Sequence, residues 1–284
     1  MTYVQQNKWK VFATVFLFGA LFFAFNTFKP DDQESPELRQ RKLLSTIGQL
    51  LESEHYSPRN IDDAFSKEVF DGYFKALDPE KSLFLKSDID SLRIYERRID
   101  DEIHGSPLSF TDAVDFVYDK RIKEAKALFS TLIEKPFDFY SNDSIYFDAD
   151  ANTYATSIAE RNERWRKILT YKVLDRYVSS IEEREKNKGK KDYVAKPDST
   201  LERMAREQVL KATNKRFERI QKTFNEDQRF TAFINAITGL MDPHTDYFPP
   251  IEKRAFDEGM SGRFYGIGAQ LGEDENGIKI ASVQ

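Results

Sequence analysis

The chain has 284 residues, no cysteine and a formal net charge of -5. With 40% hydrophobic and 32% charged residues, it can bury the cores of two ordinary domains behind charged surfaces, which excludes wholesale disorder. Acidic residues outnumber basic ones, 48 to 43, and are interleaved with them, so nothing points to a nucleic-acid partner. The lack of cysteine excludes disulfides, thiolate catalysis, sulfur-ligated zinc and a lipoprotein anchor, and leaves the compartment to be read from the N-terminus.

Lys8 and Lys10 precede an apolar run over 11–25, broken by Thr14 and fading through Asn26, Thr27 and Phe28. As a helix, 11–28 would extend about 27 Å, against a hydrocarbon core of about 30 Å. Basic residues before the run and Asp31, Asp32 and Glu34 after it favour an N-terminus in the cytoplasm with the rest exported. Ala24 with Phe22 two places before it is a poor small-x-small cleavage pattern, so an uncleaved signal anchor is preferred to a cleaved signal peptide. An apolar, Phe-rich surface on every face argues against an ordinary core helix.

After a linker over 30–36, Leu43, Leu44, Ile47, Leu50 and Leu51 recur at helical spacing, predicting a first helix that ends near Pro58. A second is predicted over 61–77 on Phe65, Val69, Phe70, Tyr73, Phe74 and Leu77, with Asn60 as its cap. Ser87 is the expected cap of a third, and Ser109 of a fourth that runs through Val114, Val117, Ile122, Ala125, Leu128 and Leu132 towards Pro136. The aromatic, Asp- and Asn-bearing stretch 137–151 reads as an ordered loop or short hairpin. Two long charged helices follow, over 153–185 and 199–225, separated by a Lys-rich stretch containing Gly189 and ending at Pro197. Trp165, Leu169, Val173 and Tyr177 keep a four-residue step while opposite charges alternate on the other faces, which predicts a solvated or inter-domain surface rather than a basic nucleic-acid helix.

A last helix over 230–240 ends at Asp242-Pro243. Beyond it Gly259, Gly262, Gly266, Gly268 and Gly272 punctuate the chain, and Asn276-Gly277 precedes the alternating Ile278-Lys279-Ile280, predicting two strands joined by a tight turn. A lone hairpin is marginal in water, so the strands either pack on the helices or begin a β-domain. The fold class is therefore mainly α: an N-terminal membrane-spanning helix, a multi-helix domain, then the first strands of a β-domain.

Met241-Asp242-Pro243-His244-Thr245-Asp246-Tyr247-Phe248, preceded by Leu240 and followed by Phe256, Met260-Ser261 and the 264–269 run Phe-Tyr-Gly-Ile-Gly-Ala, resembles the helix-to-PDZ junction of the C-terminal processing, or tail-specific, peptidases. The upstream Leu77-Asp78-Pro79-Glu80-Lys81-Ser82-Leu83-Phe84-Leu85 resembles their N-terminal helical domain, and Asp78-Pro79 and Asp242-Pro243 look like two uses of one device. A proline cannot continue the helix, and the aspartate before it can accept from free backbone donors. For Asp242 and His244 an ordinary turn without a binding role is the simpler reading. His55 and His104 offer His244 no metal-ligand spacing, so no metal is expected and no cofactor is implied.

The resemblance implies a signal peptide or anchor with its linker over 1–36, a helical domain over 37–240, and a junction with an incomplete PDZ domain over 241–284. It implies a cell-envelope serine endopeptidase that recognises the free apolar C-termini of substrate proteins or peptides, resident in the bacterial periplasm and anchored in the inner membrane, or released there if the signal is cleaved. An envelope adaptor protein is a further expected partner. Phe264, Tyr265, Gly266, Ile267, Gly268 and Leu271 are the expected peptide-binding residues. The two glycines would let backbone N–H groups converge on a terminal carboxylate while Ile267 and Leu271 line a pocket for the last side chain; spacing alone fits a glycine-bulged edge strand equally well. The family's nucleophilic serine and its lysine base lie beyond the PDZ domain, and no Ser-x-x-Lys or Gly-x-Ser-x-Gly occurs in these 284 residues. Ser82 with Lys86 reads as a chance pair, so no catalytic residue is assigned and the chain alone is expected to be inactive. Two other readings stay open: a membrane-anchored helical adaptor, and an envelope scaffold without peptide recognition.

Overall fold

The computed structural model describes residues 35–146, 149, 152–261, 268–274 and 277–283. The apolar 11–28 segment lies outside them, and among the described residues no helix is long and apolar enough to cross a membrane. The described chain is mostly helical, with one two-stranded antiparallel sheet at its C-terminal end.

Helix α1 (Pro36–Ser53) starts where Ser35 accepts from the Leu38 amide at 3.2 Å and Pro36 supplies a preset φ. It buries Leu44, Gly48 and Leu51; Leu50, expected on the same stripe, is exposed. Helix α2 (Asp63–Leu77) is capped by Asp62, which accepts from Ala64 and Phe65 at 3.0 Å, in place of the expected Asn60. Helix α3 (Lys86–Leu92) begins one residue before the expected cap Ser87. Asp88, inside its first turn, instead accepts from the Leu85 amide at 2.8 Å. After a 3₁₀ turn (Arg93–Tyr95) comes the short α4 (Ile99–Ile103), then α5 (Ser109–Leu132). Ser109 does not cap α5. Glu102 on α4 does so from outside, its Oε1 accepting from the Ser109 and Phe110 amides at 2.9 Å.

Among the described residues of 137–151 no strand forms, and the only ladder nearby is an isolated parallel bridge between Leu85 and Ala155. The two charged helices are α6 (Ile158–Asn187) and α7 (Asp198–Thr223), which pack on each other. At about 1.5 Å per residue α6 is about 45 Å long. Its buried residues, among them Trp165, Leu169 and Val173, all lie at or before Val173, and Tyr177 is the last that packs on the core, so its C-terminal part runs along α7 without a buried residue. Helix α8 (Glu226–Met241) begins four residues earlier than expected, where Asn225 accepts from the Gln228 amide at 3.0 Å. Helix α9 (Pro250–Ser261) was not foreseen in the glycine-marked region. Strands β1 (Ala269–Asp274) and β2 (Gly277–Val283) pair antiparallel, from Asp274 opposite Gly277 to Ala269 opposite Val283, with a bulge between Gln270 and Leu271.

The core is aromatic. Tyr73 of α2 meets Phe110 of α5 at 5.7 Å and Phe233 of α8 at 5.3 Å, both edge-on, and Phe74 meets Phe84 edge-on at 5.3 Å. Such pairs add about 0.5 to 1.5 kcal/mol each to the apolar area they bury. Beside them lies a buried ion network. Arg121 of α5 holds both Asp88 oxygens at 2.7 Å and donates to Glu124 at 2.7 Å, and Arg161 of α6 donates to the same Glu124 oxygen at 3.0 Å. Asp88 would cost several kcal/mol to bury alone, and the bidentate partner offsets that while fixing α3 and α6 against α5.

Candidate functional site

Both Asp-Pro pairs sit where a helix ends. Asp78 closes α2 and Asp242 closes α8, each amide still bonded back into its helix, to Phe74 at 3.0 Å and Thr238 at 3.4 Å. In each, the aspartate carbonyl accepts from the amide three residues on: Lys81 to Asp78 at 2.9 Å, Thr245 to Asp242 at 3.0 Å. The backbone device is one and the same, and the side chains diverge. Asp78 is buried, and its oxygens accept from Ser82 at 2.9 Å, Leu83 at 2.8 Å and Phe84 at 3.0 Å. Burial pushes its carboxyl above the ordinary range while the three N–H donors pull it back. Lys81, at φ +50, is the residue the tight loop bends hardest.

Asp242 is only partly buried and has different partners. Its Oδ2 accepts from the Tyr56 hydroxyl at 2.5 Å and its Oδ1 from the His244 amide at 2.8 Å. These bonds, the Tyr56 one foremost, hold its carboxyl below the usual range. His244 itself is turned to Asp242 at 3.1 Å and is almost fully exposed. After the turn, Asn235 of α8 accepts from the Tyr247 amide at 2.7 Å and donates to its carbonyl at 3.4 Å, which lays the exit strand along the helix. Past Tyr247, Phe248 is half-exposed and rests on Phe256 of α9 at 4.8 Å.

Of the expected peptide-binding residues, Phe264, Tyr265, Gly266 and Ile267 lie outside the described residues. Gly268 immediately precedes β1 with φ +66, a left-handed conformation that favours glycine. Leu271 lies on β1 opposite Ile280 and is 55% exposed. Ile278, Ile280 and Val283 of β2 are exposed too, so among the described residues the hairpin buries no apolar side chain on the helices. Within the described sheet β1 pairs on one edge only.

Lys86 does not face Ser82; its ammonium donates to Asp90 at 2.6 Å. Among the described residues no three His, Asp or Glu side chains converge as a metal site. Sequence reasoning missed the 54–60 loop, whose His55, Tyr56 and Arg59 reach the junction across more than 180 residues of chain. It also missed the Asp88–Arg121–Glu124–Arg161 network. Neither has a local signature, because each joins residues far apart in sequence: Asp88 and Arg161 to α5, and the 54–60 loop to the end of α8.

Residues 47–251 match the family model described as the tail specific protease N-terminal domain. A curated relative, the tail-specific protease of Haemophilus influenzae, is 27% identical over 265 residues, covering 90% of this chain. The chain spans only 34% of that relative's length. The family match runs from within α1, through the buried core and both Asp-Pro turns, into the first turn of α9. The chain belongs to the tail-specific protease family and carries that family's N-terminal domain.

Proposed function

We propose that this chain is the substrate-handling part of an envelope serine endopeptidase: helices over 37–240 form a rigid body, and 241–284 open a PDZ-type module that takes the free apolar C-terminus of a substrate protein. Family membership supports the protease class. The observation that carries the peptide reading is the edge of β1 that has no partner strand among the described residues, entered through left-handed Gly268. An extended peptide added to such an edge satisfies its backbone groups, and a glycine-lined entrance leaves N–H donors free to meet a carboxylate. In this reading Phe264, Tyr265, Gly266, Ile267 and Gly268 form the entrance, and Leu271 meets the last side chain. Peptide-bond cleavage is assigned in this reading to a serine–lysine pair for which residues 1–284 offer no candidate, and peptide binding to the completed PDZ module. The apolar 11–28 segment holds the protein at the inner membrane with its body in the periplasm, and a reporter active only after export gives signal when fused behind Asp32.

Titrating one apolar-ended peptide, as free acid and as amide, against the full-length protein tests the recognition. Amidation removes the charge the N–H groups stabilise, so affinity falls by about 1.5 to 3 kcal/mol. Gly266→Val weakens the free acid as well, because a branched side chain obstructs the backbone approach. Equal affinities for the acid and the amide would mean that this glycine-rich strand is structural.

A further inference from the structure

Three side chains of one loop, 54–60, converge on one short stretch at the end of α8. Arg59 donates to the Leu240 carbonyl at 3.0 Å, one of the carbonyls a helix end leaves without an internal partner. Tyr56 donates to Asp242 at 2.5 Å. His55 reaches Thr245 Oγ1 through Nε2 at 3.1 Å. The ring's other nitrogen, Nδ1, accepts from the Ser57 amide at 3.2 Å, so the proton sits on Nε2 and His55 is the donor to Thr245.

The loop is itself fixed to the body. Arg59 is clamped by both Glu68 oxygens on α2, at 2.7 and 3.1 Å, and its guanidinium lies 5.4 Å from the Phe65 ring centre. Ile61, where the loop runs into α2, is buried. A single surface hydrogen bond would restrain little. Three from one anchored loop, spread over residues 240 to 245, restrain the direction of the chain as well as its position.

We propose that the 54–60 loop is a latch that fixes the direction in which the chain leaves α8. While it is closed, the junction up to Tyr247 moves with the helical body, and reorientation of the following segment starts after Tyr247. Once it is open, residues 242 to 246 lose their restraint by the loop and gain freedom between the Asp242-Pro243 turn and Tyr247, which the Asn235 bonds and its packing on the core still hold. The latch operates whether or not 264–271 binds a peptide.

Residues 1–284 contain no cysteine, so in that chain a single introduced thiol is the only site for a nitroxide label. Asp246→Cys places the label on an exposed residue inside the latched stretch, and Asp227→Cys places a reference label on the exposed first turn of α8. With the latch closed, the 246 spectrum carries a slow component. His55→Ala with Tyr56→Phe abolishes that component, leaves the 227 spectrum unchanged and leaves thermal unfolding of the helices in place. Tyr56→Phe alone, which removes one oxygen from an exposed ring and so preserves folding, reduces the component part of the way. An unchanged 246 spectrum in the double variant would overturn the latch. So would equal mobilisation at 246 and 227, which would make the loop a general support of the body.

Discussion

Glu102 shows how a single residue can carry a long helix. No side chain at the N-cap position of α5 bonds to the helix, and Glu102 supplies the acceptor from α4 with one oxygen, while its other oxygen, Oε2, is buried without a partner. Burial pushes its carboxyl up to about 7, against the pull of the two amides. A raised folded-state value means that the native state holds the proton more tightly than the unfolded chain. Its stabilising contribution is therefore complete below the ordinary glutamate value and is lost as pH rises through 7. Asp115, raised to about 6 chiefly by burial although it pairs with Arg229, adds in the same direction over a slightly lower window. Glu102→Gln keeps an acceptor for the two amides and removes the charge. Denaturant unfolding should show the variant close to wild type at pH 5 and more stable at pH 8 by about 3 kcal/mol. A gap that does not grow with pH would show that Glu102 is ionised without cost.

At the scale of elements, the apolar spacing predicted most helices because burial imposes a 3.6-residue period, and α2 buries all six of the residues so assigned. Helix starts were read less well. Asn60, Ser87 and Ser109 are sound local caps, yet Asp62, Asp88 and Glu102 do that work, and Glu102 acts through space. Helix α4 is a single turn rich in acid, too short to show a period, and α9 was hidden by glycines and a proline that also mark turns. Pro250 opens α9 because the first helical position needs no N–H donor. Gly48 is a position where propensity misleads. An alanine there gains up to about 1 kcal/mol as a helix former, but its Cβ would run into the Ile103 side chain, with the Ile103 carbonyl oxygen at 3.2 Å. The close crossing of α1 over α4 wins: Gly48→Ala should destabilise the protein by about 1 to 3 kcal/mol. A raised melting temperature would contradict that packing.

Over the whole molecule, the C-terminal hairpin was legible because Asn276-Gly277 and the alternating residues behind it break the helical period, although α9 lies between it and Asp242, and the Asp-Pro turns were legible because their chemistry is local. The ion network and the 54–60 contacts were not, since both are made by residues distant in sequence. The candidate site was legible only in part: Gly268 and the strand after it stand where the pattern placed them, while 264–267 lie outside the described residues. We propose above that the free edge of β1 receives a substrate's C-terminus. Backbone hydrogen exchange of the full-length protein, with and without an apolar-ended free-acid peptide, tests it most directly. New protection is expected on the amides of β1 that face the free edge, with exchange in β2 and in α6 and α7 unchanged. Protection confined to α6 and α7, with β1 unaffected, would contradict it.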